Sequence, residues 1–133
     1  MIVYMYSAII SIHMTEMEII NEGIGIYNSL YVVTPISQYI ETTIYILAYG
    51  TMVIGCIKDR ARSEYSIIAL IVTIGMSSLI SSNEIISILI GIELQTLGLY
   101  VIASLYRGSE RSTAAGLKYY LLGGLSSCII GLG

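Results

Sequence analysis

The feature that most limits how this chain can fold is a succession of apolar stretches, each long enough to cross a lipid bilayer as a helix. They occupy residues 38–57, 65–81, 84–106 and 113–133. A helix rises about 1.5 Å per residue, so a hydrocarbon core of about 30 Å needs about twenty apolar residues. Only short polar links separate the stretches. Of the 133 residues only 11% are charged, and the mean hydropathy is +0.83. A water-soluble domain carries about a quarter charged residues. The fold class that follows is an all-α integral membrane protein, a multi-span transmembrane helix bundle, with residues 38–133 forming about four transmembrane helices.

Residues 1–37 form a different kind of segment. The first twelve are apolar but would reach only about 18 Å as a helix, which fits the remnant of a span or a short interfacial piece. They lack the basic n-region and small-residue cleavage site of a signal peptide, and no Arg-rich, acid-poor transit sequence is present. The chain is therefore expected to be made where it is inserted, in a bacterium or inside an organelle. Residues 13–37 carry Glu16, Glu18 and Glu22 and no Lys or Arg. Within them GIGIYNSLYVVT is β-branched, with a turn signal at Asn28-Ser29, and reads as a short hairpin or as a plain loop.

Charge placement orients the chain. Five of the six basic residues, Lys58, Arg60, Arg62, Arg107 and Arg111, fall in two links separated by two spans. Both links then lie on one side, which the positive-inside rule makes the cytoplasm or the mitochondrial matrix. The acidic segment 13–37 lies outside. Tyr65 and Tyr106 border the basic links, at the depth where amphipathic rings are enriched.

Most site chemistries are absent. Cys56 and Cys128 lie in apolar stretches and read as small buried hydrophobes. His13 is alone, so no metal site is expected. No phosphate loop, Cys-x-x-Cys pair or nucleophile elbow occurs. No cofactor is expected on the chain, and its expected surroundings are the lipid bilayer and not nucleic acid.

One acid remains conspicuous. Glu93 sits in SSNEIISILIGIELQTLGLYVIASLY, about 20 Å of helix from the basic link and so near the membrane centre. A carboxylate there costs several kcal/mol unless it is paired or wetted, and such acids mark ion or substrate pathways. Thr96, Tyr100 and Ser104 share its helix face, a polar stripe toward the inner side, whereas Leu89 and Ile86 make the outer half of that face dry. Glu84, by contrast, reads as an interfacial cap at the helix start. Lys118 lies about 9 Å into the last span, close enough to snorkel to the interface. Glu93 and Lys118 differ by about 10 Å in depth if the helices stand upright. They read as two stations on a polar path, with a further cation opposite Glu93. A relay needs groups whose pKa a neighbour's charge can move. The rival reading is a structural acid that locks helices together. Gly91 and Gly98 share a face pointing away from Glu93, and Gly116, Gly123, Ser127 and Gly131 form a second small-residue stripe. Such stripes let helices approach closely in lipid.

Residues 91–127, GIELQTLGLYVIASLYRGSERSTAAGLKYYLLGGLSS, closely resemble subunit 2 of respiratory complex I, a member of the antiporter-like membrane proteins. The resemblance rests on the Glu-Leu-Gln of a mid-membrane helix, Leu-Tyr-Val beyond it, the Arg…Ser-Glu…Ser-Thr link and the Ala-Gly-Leu-Lys-Tyr that opens the next helix. Residues 63–90 look like the preceding helix, and NSLYVVTPISQ is similar to fungal mitochondrial versions. The resemblance implies a membrane-arm subunit of NADH:ubiquinone reductase that takes part in proton translocation in the mitochondrial inner membrane, or a bacterial plasma membrane. Its partners would be the other membrane-arm subunits. NADH, FMN, iron–sulfur clusters and ubiquinone would be used by those other subunits. Glu93 falls on the family's key glutamate and Lys118 on a helix-opening lysine, a relay acid and a relay base. The family's later lysine-bearing helices have no counterpart here, so the chain looks like an N-terminal portion, a partial antiporter-like module not expected to pump alone. The alternatives are a cation/proton antiporter subunit of the related family and a non-catalytic scaffold.

Overall fold

A computed structural model describes residues 1–16, 23–57, 63–105 and 108–133. The basic link 58–62, Glu18 and Glu22 of the acidic segment, Tyr106 and Arg107 lie outside the described residues, as does the side chain of Cys56. The elements in order are α1 (Ile2–Thr15), β1 (Ile24–Ile26), β2 (Tyr31–Val33), α2 (Pro35–Ile57), α3 (Ser63–Ser81), α4 (Ile85–Ala103) and α5 (Glu110–Leu132). By length and composition α3, α4 and α5 can each cross a membrane. The long element α2 has 23 residues and places Gln38, Glu41, Thr42 and Thr43 in its opening turns.

Local sequence sets where the helices begin. Pro35 opens α2, where its missing N–H costs nothing. Thr34 and Ser37 cap each other, Thr34 N–H donating to Ser37 Oγ at 2.9 Å and Ser37 N–H to Thr34 Oγ1 at 3.2 Å, a reciprocal arrangement that satisfies orphan helix donors. Ser109 caps α5 from one side, its Oγ accepting from Ser112 N–H at 3.4 Å. Glu84 occupies the N-cap position of α4, but its side chain makes no cap hydrogen bond. Its role there rests on charge at the helix start alone.

The four long helices form an antiparallel succession. Gly55 of α2 faces Tyr65 of α3, while at the other end Ser81 Oγ donates to Glu41 Oε1 at 2.8 Å. Between α3 and α4 the backbones meet: a Cβ on Gly75 would stand 2.8 Å from Gln95 N, and one on Gly91 would stand 3.2 Å from Leu79 N. Gly98 faces the Val72 side chain. In lipid, where apolar surface gains nothing by leaving water, such backbone approach is what holds helices together. Because α2 through α5 alternate in direction, the C-terminal ends of α2 and α4 and the N-terminal ends of α3 and α5 sit at one end of the bundle. The hairpin and the α3–α4 link sit at the other.

The hairpin forms rather than a plain loop. Its strands pair antiparallel, Ile24 with Val33 and Ile26 with Tyr31. Tyr27, Asn28 and Ser29 adopt φ of 52°, 60° and 67°, the left-handed values that tight hairpin turns require. It is pinned to the α3–α4 link, where Asn83 N–H donates to Leu30 O at 2.9 Å and Asn83 Nδ2 to Ser29 O at 3.1 Å. The N-terminal stretch is α1, 14 residues long, packed antiparallel along α2. Ser11 Oγ lies 2.6 Å from Thr42 Oγ1 and 3.3 Å from Gln38 O. Tyr4, only 2% exposed, lines a cleft between α2, α3 and α4.

Candidate functional site

The site is built on the α4–α5 pair. Its register follows from three contacts: Gly131 against Leu89, Gly123 against Tyr100 and Gly116 against Ser104. Ser112 Oγ adds a 2.7 Å hydrogen bond to Ala103 O. Gly116, Gly123 and Gly131 of α5 thus face α4, where the lack of a side chain lets the helices approach closely.

Tyr100 is the centre of the contact. It is 7% exposed, its hydroxyl rests against Gly123, and its ring packs edge-on between Tyr119 and Tyr120 at centroid distances of 5.9 and 5.7 Å. The polar stripe read from the sequence is therefore not an open, half-wet face. At Tyr100 α5 covers it, while Thr96 and Ser104 stay partly exposed. Thr96 Oγ1 donates to Glu93 O at 3.0 Å and Ser104 Oγ to Tyr100 O at 3.0 Å. Both hydroxyls are turned back onto their own helix, as hydroxyls in apolar helices often are.

Glu93 lies near the middle of α4, half-buried, on the same face as Tyr100 seven residues on. Counting along the α4–α5 register sets it level with α5 residues near Ser127. Among the described residues its carboxylate has no hydrogen-bond or ion-pair partner. Lys118 lies about two turns into α5 and is exposed. It follows Gly116, which faces α4, by two residues, a rotation of about 200°, so Lys118 points away from α4. The same register sets Lys118 level with residues near Ala103, roughly 15 Å from Glu93 along the helix axis. The structure does not bring the acid and the base together. Direct proton exchange between them needs intervening groups.

Two features of the site were not assigned from the sequence. The burial of Tyr100 as a plug over Gly123 was foreshadowed by the glycine stripe of α5, which marks where a large side chain from the neighbour can enter. The Glu41–Ser81 hydrogen bond joins residues forty apart. No local pattern announces it.

Chemically, the arrangement offers a half-buried carboxylate at mid-span with no side-chain partner among the described residues, a tyrosine plug toward the C-terminal end of α4 and a lysine beyond. Residues 82–133, a stretch that includes both Glu93 and Lys118, match the transmembrane family described as NADH:quinone oxidoreductase/Mrp antiporter. The chain is 39% identical, over 99% of its length, to NADH-ubiquinone oxidoreductase chain 2 of Rhizopus oryzae. It is 34% identical over 80% of its length to NADH-quinone oxidoreductase subunit N of Parvibaculum lavamentivorans, and 40% identical over 71% to that of Erythrobacter litoralis. The chain is similar to these chain 2 and subunit N proteins. It spans less than a third of their length, 29%, 23% and 20% respectively.

Proposed function

We propose that this chain works within a membrane-arm subunit of respiratory complex I, taking part in proton translocation coupled to electron transfer from NADH to ubiquinone. The observation that carries this reading is Glu93, a carboxylate held half-buried at mid-span with no side-chain partner among the described residues. An acid kept at that depth without a fixed counter-ion is suited to taking up and releasing a proton. Glu93 is the relay acid and Lys118 a relay base. The cation that faces Glu93 comes from helices outside this chain.

The apolar outer face of α5, with Leu121, Leu122, Leu125 and Ile129 exposed, is the surface on which further membrane-arm helices would pack. The bilayer is the mitochondrial inner membrane, a reading supported by the fungal relative's name. NADH, FMN, iron–sulfur clusters and ubiquinone are handled by other subunits. The Mrp antiporter part of the family's description supports a second reading, cation/proton exchange without redox chemistry.

The deciding experiment places Glu93→Gln in the intact complex and measures protons moved per NADH oxidised. Lower pumping with normal assembly supports the relay. Failed assembly, with normal coupling in whatever complex remains, selects a structural role. Sodium-driven proton exchange in vesicles lacking NADH would select the antiporter reading.

A further inference from the structure

At the end of the bundle where α2 begins and α3 finishes, the hairpin borders an open cleft of about 240 Å³ between α2 and α3. Its chemistry is unlike that of the surrounding apolar surface. Glu41 of α2 supplies one carboxylate, with Oε1 fixed by the 2.8 Å hydrogen bond from Ser81 Oγ. Tyr45, one helical turn on, and Ser77 add oxygens from either wall. Tyr27 and Tyr31 line the mouth, their rings set 6.5 Å apart at 75° to each other. The proton path proposed above uses none of these groups.

The geometry points to a binding site for an organic ammonium group, the headgroup of a zwitterionic phospholipid or a free amine of the same chemistry. Three features select it. A single carboxylate balances a single positive charge, whereas a divalent ion takes more charged oxygens. Two tyrosine rings at a steep angle make a corner of the kind that holds an ammonium by its attraction to aromatic faces. The cavity is far larger than a bare metal ion needs and has room for an ammonium with its methyl groups.

The setting fits as well. The acidic outer segment carries no Lys or Arg among residues 13–37, so nothing basic in it competes for Glu41. The hairpin that brings both rings to the cavity holds three successive non-glycine residues, Tyr27 to Ser29, at positive φ. This inference stands apart from the proton-relay reading, since it needs neither Glu93 nor Lys118.

The test uses the full chain, purified in detergent. Thermal stability and lipid retention by native mass spectrometry are followed with lysophosphatidylcholine, lysophosphatidylglycerol, tetramethylammonium chloride and sodium chloride. The expected result is selective binding of the choline lipid over the glycerol lipid. Both Glu41→Gln and Tyr27→Ala should weaken it roughly tenfold. Tyr27→Phe, which keeps the ring, should bind as the parent does. Tyr27 is 76% exposed, so its replacement tests the ring without emptying the core. Binding of tetramethylammonium as well assigns the site to ammonium chemistry in general; binding of the lipid alone assigns it to the headgroup in place. Equal retention of the two lipids, no response to Tyr27→Ala and Glu41→Gln, or an equal effect of sodium chloride would each overturn the proposal.

Discussion

The Tyr100 hydroxyl rests against the backbone of Gly123, in the space where any other residue would carry its Cβ. This pairing fixes how closely α4 and α5 approach and covers the face that carries Glu93 at Tyr100. Gly123→Ala should therefore force the ring to move and destabilise the chain by about 1–3 kcal/mol, the usual cost of overpacking. Gly124→Ala, next in sequence and with nothing within 4 Å of its Cβ position, should cost nothing measurable. Tyr100→Phe removes the atom that the new Cβ meets, so it should partly rescue Gly123→Ala. A double-mutant cycle read by thermal unfolding in detergent checks this, and simple additivity would dismiss the plug.

The α3–α4 contact should be less forgiving. Gly75 faces the backbone of Gln95, which cannot rotate away as a side chain can. Gly75→Ala should cost more than Gly98→Ala, whose first obstacle is the Val72 side chain, and Gly50→Ala, with open space around it, should be neutral. Ranking the three by unfolding midpoint in one detergent tests the order.

Ser11→Ala should loosen α1 without melting the bundle. It removes the 2.6 Å Ser11–Thr42 hydrogen bond, yet Thr42 keeps its own bond to Gln38 O at 2.8 Å. No buried hydroxyl is orphaned, so the expected cost is about 0.5–1 kcal/mol. Hydrogen exchange should show faster exchange of α1 amides and unchanged exchange in α3 and α4.

Lys118 separates stability from function. It is exposed and has no ion-pair partner among the described residues. Lys118→Met should leave the stability of the chain within about 0.5 kcal/mol of the parent. In the intact complex the same substitution should lower proton pumping. A variant that pumps normally would remove Lys118 from the relay.

Cysteines placed at Ser63 and Gly108, in a background of Cys56→Ala and Cys128→Ala, should label from the same side of the membrane. One at Asn28 should label from the other. The helix directions require this, and the charge pattern requires it independently. Labelling of Ser63→Cys and Gly108→Cys from opposite sides would break both arguments.

Sequence alone determined the membrane class and marked the long helices, whose ends in the structure lie within a few residues of those read from hydropathy. These follow from hydropathy, capping residues and charge, which act locally. The glycine stripes were legible for the same reason: a position without a side chain marks a contact face whatever the partner is. Glu93 stood out because a mid-span acid is costly in any fold. Only the tertiary structure decided what each face meets. It covered the polar stripe of α4 at Tyr100, set Lys118 on the far side of α5 and about 15 Å from Glu93 in height, and tied Glu41 to Ser81. Those outcomes depend on the register between helices. Close packing against a neighbour's backbone fixes that register, and no period within one helix encodes it.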